Sequence, residues 1–242
     1  MARRLMRVLI TRPEEDAKPL AEMLQQRGHE TILSPLMKIR FCDGPEIPLN
    51  GVQAIVATSA NAIRALQRRM TRRDIPVFSV GPHTAEMALE VGFTDVRQGP
   101  GDGHRLASFI RKALDPTFGV LLWATGRDRT AEFADALTAC GFEVQVQTLY
   151  AAEEAGPLTE EAAAALSTER IDAVLLFSPR SASLFAKVVQ NQGLLNACRR
   201  MVAVCVSQAV AQKLVTLSFA KILVAQQPSV ASMLDLLEQA SL

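Results

Sequence analysis

Short apolar runs, each followed by a small polar turn and then an amphipathic stretch, recur along this chain. The clearest is Ala54 to Leu66, AIVATSANAIRAL, where a buried strand passes through Thr58-Ser59-Ala60-Asn61 straight into a helix. Upstream, Val8-Leu9-Ile10 predicts a strand and Thr11-Arg12-Pro13 a turn. The helix that follows has Pro13 near its first position and Leu20, Met23 and Leu24 on its apolar face. Gly28 stops that helix before a strand at Thr31-Ile32-Leu33. Met37, Ile39 and Phe41 then alternate with Lys38 and Arg40, as in an exposed strand, until Gly44, Pro45 and Pro48 break the pattern.

The second half of the pattern continues in kind. Pro76 to Val80 predicts a strand, Gly81-Pro82-His83-Thr84-Ala85 a turn, and the helix after it runs to Val91 and stops at Gly92. Gly99-Pro100-Gly101-Asp102-Gly103 lacks the Gly-Lys-Ser/Thr ending of a phosphate loop and reads as a flexible loop before a helix over His104 to Leu114. Val120 to Ala124 is a strand ending near Trp123, with a turn at Thr125-Gly126-Arg127-Asp128 and a helix over Ala131 to Cys140 closed by Gly141. A strand at Glu143 to Gln147 leads through Tyr150 into a polar, broken stretch over Ala151 to Pro157. Three more units follow: a helix at Thr159 to Ser167; a strand at Ala173 to Phe177, turning at Ser178-Pro179-Arg180-Ser181 into a helix to Val189; and a strand at Val202 to Val206, turning at Ser207 into a helix from about Val210. Lys221 to Val224 and Ser229 to Gln239 complete the chain as strand and helix.

Two kinds of block alternate. One, with strand, helix, glycine and strand, spans Val8 to Leu36 and recurs over Leu121 to Leu149, with Gly28 on Gly141 and Glu30 on Glu143. The other spans Ala54 to Val96 and recurs over Ala173 to Val224, with Ser59 on Ser178 and Ala85 on Ala211. Repeated strand-helix units predict parallel sheets covered by helices on both faces, with ligands taken at the carboxyl ends of the strands. The pattern alone leaves open which blocks share a domain.

Length and charge narrow the possibilities. The 242 residues suit two domains, and 49% hydrophobic with 21% charged residues is a globular balance. A net charge of +1 gives no general attraction to nucleic acid or to an acidic membrane. Met1-Ala2-Arg3-Arg4-Leu5-Met6 is basic, but the apolar run after it is too short for a signal peptide, and no run is long enough to span a membrane, so a cytoplasmic location is expected. Cys42, Cys140, Cys198 and Cys205 lack paired spacing and read as reduced thiols. His29, His83 and His104 never approach metal-ligand spacing, and no metal is assigned.

An anionic ligand must therefore be met locally, and the strand-to-helix turns are suited to it because the first helical N–H groups have no partner within the helix. If two domains face each other, Thr11, Thr58, Gly81, Gly126, Ser178 and Ser207 look into one cleft. Each such residue also serves as an ordinary helix cap in proteins of every function.

Together, Val8-Leu9-Ile10-Thr11-Arg12-Pro13, Thr58-Ser59-Ala60-Asn61-Ala62, Val80-Gly81-Pro82-His83-Thr84-Ala85, the Gly141 block ending at Tyr150, and Phe177-Ser178-Pro179 resemble the uroporphyrinogen-III synthases. The resemblance covers Arg7 to about Gln239. It implies two flavodoxin/Rossmann-like α/β domains with parallel sheets, the first discontinuous (1–36 plus 156–242), the second over 50–147, joined by a two-stranded β connector at 37–49 and 148–155. It also implies a monomeric, cofactor-independent enzyme that closes hydroxymethylbilane to uroporphyrinogen III with loss of water and inversion of ring D through a spiro intermediate. Thr58, Ser59 and Asn61 would receive carboxylate arms, with Gly81 allowing close backbone approach, Thr84 at a family site position, and Arg12, Gly126, Arg127, Ser178 and Ser207 completing the binding set. Tyr150, the only tyrosine, would assist departure of the hydroxyl as a general acid. One departure stands out: Gly81 and Thr84 are replaced in the second copy by Ser207 and Val210. That substitution is the main support for the alternative, a non-catalytic two-lobed module that binds a tetrapyrrole or polyanion.

Overall fold

The structure is a computed structural model that describes residues 4–240; Met1-Ala2-Arg3 of the basic N-terminus, with Ser241 and Leu242, lie outside the described residues. In chain order the elements are β1 (Arg7–Ile10), α1 (Glu14–Gln26), β2 (Glu30–Leu33), β3 (Met37–Phe41), β4 (Val52–Ala57), α2 (Ala60–Arg69), β5 (Val77–Ser79), α3 (Pro82–Glu90) and β6 (Val96–Gln98). They continue with α4 (Gly103–Ala113), β7 (Val120–Gly126), α5 (Glu132–Ala139), β8 (Val144–Glu154), α6 (Glu160–Ser167), β9 (Ala173–Leu176), α7 (Pro179–Asn191), β10 (Val202–Cys205), α8 (Gln208–Ala211), β11 (Lys221–Val224) and α9 (Val230–Ala240).

Two compact units result, one from the residues through Lys38 with those from Glu153 onward, the other from Ile39–Ala152. The first holds a five-stranded sheet in the order β11-β10-β9-β1-β2, and the second belongs to a six-stranded sheet in the order β3-β8-β7-β4-β5-β6. The register settles the question that the repeat left open. β1 pairs in parallel with β9 (Leu9 opposite Val174), and β7 with β4 (Leu122 opposite Ile55), so the first block joins the last and the two middle blocks join each other. β3 lies against β8 in the opposite sense, because Cys42 N–H donates to the Leu149 carbonyl at 2.8 Å while Ala155 N–H donates to that of Leu36 at 3.0 Å.

Both faces of the second sheet are buried. Along β4, Ile55 and Ala57 join the apolar layer beneath α2 and α3, while Ala54 and Val56 join that beneath α4 and α5, which is why the strand reads as an unbroken apolar run. The first unit has the same logic, with Val8, Ile10, Leu20 and Leu24 packing with Met233 and Leu237 of α9. Gly28 and Gly141, the repeated helix stops, both take the left-handed conformation (φ +86° and +91°) that closes a helix with little cost only for glycine.

Several expectations change in detail. Pro13 is the N-cap of α1, one position before the helix, and Pro19 lies inside it on an exposed face, where the carbonyl its missing N–H would have bonded can face water. Met23 is 40% exposed, because the buried stripe of α1 is Ala17, Leu20, Ala21 and Leu24. β7 runs through Thr125 and Gly126, which places Trp123 within the strand, buried with its ring edge-on to Phe133. β8 continues to Glu154, so the stretch from Ala151 is strand and not broken coil; β3 supplies partners that local polarity does not reveal. The edge strand β6 was not expected at all. The glycine-rich segment after it is not loose at its start: a Cβ on Gly99 would lie 2.6 Å from the Ser79 carbonyl and 2.8 Å from Leu106 Cδ1.

The thiols divide by depth. Cys198 and Cys205 are buried, and desolvation pushes them up to about 11 and about 12. An alkylating reagent near neutral pH should therefore modify the half-buried Cys42 and Cys140 in the native protein and reach Cys198 and Cys205 only on unfolding. Equal rates at all four, read by mass spectrometry, would contradict this packing.

Candidate functional site

In each sheet the chain turns in opposite directions from two central neighbours. From β7 it proceeds to β8 on one side, and from β4 to β5 and β6 on the other; β1 and β9 are the matching pair in the first unit. Helices that follow such neighbours go to opposite faces and leave a crevice at the carboxyl edge. In the second unit that crevice is bordered by Thr58-Ser59 after β4 and by Gly126, which ends β7, with Arg127 to Thr130 after it.

Ser59 is the N-cap of α2, and its Oγ accepts the Asn61 N–H at 3.1 Å. Asn61 Oδ1 accepts from Arg64 Nη1 at 2.7 Å, which brings a cation to this turn. Thr58 is half-buried beside them.

Tyr150 reaches the same turn through a β-bulge. Thr125 pairs with Thr148, but Gly126 pairs with Tyr150, so Leu149 is an extra residue in β8. Leu149 is buried in the layer beneath α2, and Tyr150 packs against that same layer instead of alternating away from it. Its phenol lies near the Ser59 hydroxyl. Burial pushes the Tyr150 pKa above its ordinary 10.0, the nearby Ser59 hydroxyl opposes that rise, and the Asp128 carboxylate adds to it. The group is consequently a neutral hydroxyl throughout the physiological range. Gly126 packs beneath the ring: a Cβ there would lie 2.8 Å from Tyr150 Cε2 and 3.2 Å from its Oη.

The loop after β7 is held by Arg127 N–H, which donates to the Tyr150 carbonyl at 2.8 Å, and by Arg129, whose Nη1 donates to Thr148 Oγ1 at 2.9 Å and to the Gly126 carbonyl at 3.3 Å. The Arg127 side chain is exposed. After the next strand, β5, Gly81 caps α3 in an extended conformation open to any residue, and a Cβ on it would only touch Gly101 Cα at 3.6 Å, so the backbone there does not require glycine. Thr84 is buried in the first turn of α3.

The first unit is built differently at the equivalent positions. Ser178 and Ser181 form a closed capping box at the start of α7, each hydroxyl taking the other's backbone N–H (3.0 and 3.2 Å). Arg12 is tied to Asp16 at 2.7 Å and lies 4.4 Å from the centroid of the Phe177 ring; both charged side chains are largely shielded. Ser207 caps α8 without a side-chain bond, α8 is a single turn, and Val210 is fully buried.

The structure thus gathers Ser59, Asn61, Gly126, Tyr150 and the Arg127 backbone in one place, leaves Gly81 and Thr84 at the start of α3 after the neighbouring strand β5, and puts Arg12, Ser178 and Ser207 in the other unit. Sequence reading missed Arg64, which meets Asn61 within α2, and Asp128, Arg129 and Thr148, whose places depend on the β7–β8 register. Among the described residues, no group of His, Cys, Asp and Glu is arranged to hold a metal ion, and no helix is long and apolar enough to cross a membrane.

These features define a duplicated α/β protein with two parallel-dominated sheets and polar switch-point turns. The family model for uroporphyrinogen-III synthase HemD matches residues 18–235, and the chain belongs to the uroporphyrinogen-III synthase family. Membership makes it a cyclising enzyme of the lyase type in tetrapyrrole biosynthesis. Among solved structures, uroporphyrinogen-III synthetase from Helicobacter pylori superposes with a TM-score of 0.66 at 15% identity, over 98% of this chain and 100% of that one. A mutant uroporphyrinogen III synthase from the extremely thermophilic bacterium Thermus thermophilus gives 0.55 at 17% identity, over 97% and 98%. At such identities the likeness concerns the fold. No curated protein sequence matches the chain.

Proposed function

We propose that this chain converts hydroxymethylbilane to uroporphyrinogen III, expelling water and inverting ring D through a spiro intermediate. The observation that carries the site assignment is the Tyr150 phenol held against Ser59 at the crevice of the second unit. The terminal pyrrole nitrogen pushes its electron pair toward the hydroxymethyl carbon, the C–O bond breaks, and Tyr150 gives its proton to the departing oxygen, so that water leaves. The cation is carried by the pyrrole, and the tyrosinate is reprotonated by the proton released when the rings regain aromaticity. No cofactor is needed, because the substrate supplies the electrons. The enzyme's larger task is orientation, directing attack to the substituted carbon of ring D.

Carboxylate arms are met in this reading by Thr58, Ser59 and Asn61 at the start of α2, by Gly81 and Thr84 at α3, and by Gly126 and Arg127 after β7. Ser178 and Ser207 contribute backbone N–H groups in the first unit, and Arg12 contributes only by exchanging Asp16 for a substrate carboxylate. The domains are assigned as 1–36 plus 156–242 and 50–147, connected by 37–49 and 148–155, in a cytoplasmic monomer. Purified protein should consume hydroxymethylbilane faster than spontaneous closure does; consumption at the spontaneous rate would overturn the proposal.

Tyr150→Phe should lower kcat by about tenfold without abolishing turnover, a small loss for a general acid because the pyrrole drives departure. With one tyrosine in the chain, tyrosinate absorbance reports this residue alone. Its midpoint should lie above 10.0 and rise further in Ser59→Ala, which removes the hydroxyl that lowers it. An unshifted midpoint, or an unchanged kcat where chemistry limits the rate, would remove the acid role.

A further inference from the structure

The basic side chains of the second unit's crevice are not equivalent. Arg127 and Arg129 are both exposed, but Arg127 has no side-chain partner among the described residues, whereas Arg129 is pinned through one nitrogen, Nη1, to the Gly126 carbonyl and the Thr148 hydroxyl. Both of these partners are neutral, so the charge is fixed in place without being cancelled by them. Arg12 shows the opposite arrangement, with its charge met by Asp16. The anchoring bonds leave the Nε and Nη2 edge of the Arg129 guanidinium unused. A guanidinium held in this way retains two N–H donors for a bidentate carboxylate and has lost much of the side-chain freedom that binding would otherwise have to remove.

Its anchors fix where it sits. Gly126 is opposite Tyr150 in the register, and Thr148 precedes the bulge that turns Tyr150 toward Ser59. The start of α2 lies on one side of the crevice, and the loop carrying Arg129 leads to α5 on the other. We infer that Arg129 is a substrate-binding residue that takes one carboxylate arm of the linear tetrapyrrole beside Tyr150, and that Thr148 is the positioning residue that aims it. The inference rests on the reaction proposed above and adds, beside Tyr150, a charged anchor that neutral partners hold in place.

The test is a comparison of wild type with Arg129→Gln, Arg129→Lys and Thr148→Val, in steady-state turnover of hydroxymethylbilane and in calorimetric binding of uroporphyrin III. Arg129→Gln should raise KM by about tenfold, the loss expected for one charge-assisted contact, with kcat nearly unchanged. KM should also rise less steeply with ionic strength than in wild type. Arg129→Lys should recover part of the loss, and Thr148→Val should raise KM severalfold with an unchanged melting temperature. Uroporphyrin III should bind Arg129→Gln more weakly than wild type, and its octamethyl ester should not distinguish the two. An unchanged KM and unchanged uroporphyrin affinity in Arg129→Gln would overturn the inference, as would a loss confined to kcat. Absence of wild-type turnover would count against the proposed reaction instead, and the binding comparison would still decide the role of Arg129.

Discussion

Gly126→Ala is expected to lower kcat by about tenfold to a hundredfold while leaving the protein folded, a larger effect than removing the Tyr150 hydroxyl. The backbone of Gly126 is not in the left-handed region, so alanine brings no conformational penalty of its own. What it brings is a methyl group 2.8 and 2.9 Å from Tyr150 Cε2 and Cζ, inside any real carbon–carbon contact. Gly126 is paired in the sheet between β7 and β8, so the ring has to give way, and it can do so only by leaving Ser59. Tyr150→Phe keeps the ring in place; Gly126→Ala moves the whole ring into the crevice. Unchanged kcat, with circular dichroism confirming the fold, would mean that the position of Tyr150 does not matter to the reaction.

Gly119→Ala is expected to cost about 3–4 kcal/mol of stability, read as a lower denaturant midpoint at unchanged slope. Gly119 combines a left-handed φ of +144° with a new Cβ that would overlap the Gly51 carbonyl oxygen. That oxygen accepts the Val120 N–H at 2.8 Å, and the Gly119 carbonyl accepts Gln53 Nε2 at 2.6 Å, so the clash falls on the contacts that align β7 with β4 at their amino ends. The carboxyl edge is at the far end of these strands, and residual activity per folded molecule should be close to normal. A loss of under about 1 kcal/mol would show that the segment relaxes freely.

The local pattern foretold most elements because these strands are buried on both faces and read as continuous apolar runs, as at Ala54 to Ala57 and Ala173 to Leu176. It failed where a partner, not the strand's own sequence, makes the strand: β6, three residues at a sheet edge, and the far half of β8, which β3 completes. It also could not choose between tandem and interleaved pairing of the blocks, which is decided by long-range register; there the family resemblance supplied what periodicity lacks.

The candidate site was legible in the same uneven way. Ser59 and Ser178 occupy equivalent caps and look alike in sequence, yet Ser178 is closed on Ser181 while the Ser59 hydroxyl lies near the Tyr150 phenol. Whether a hydroxyl is consumed locally depends on a neighbour three positions on: Ser181 in one copy, Ala62 in the other. Arg12 and Arg127 stand out as turn residues, but only the β7–β8 register, with its bulge at Leu149, brings Arg129 onto Thr148 and the Gly126 carbonyl, opposite Tyr150. The loss of Gly81 and Thr84 at Ser207 and Val210 has a structural counterpart, since the helix after Ser207 is a single turn.

The most direct measurement is the isomer composition of the product formed from hydroxymethylbilane, followed from the earliest times and compared with heat-denatured protein. The native protein should give uroporphyrinogen III and the denatured control uroporphyrinogen I. Type I alone from both, at equal rates, would contradict the proposed reaction.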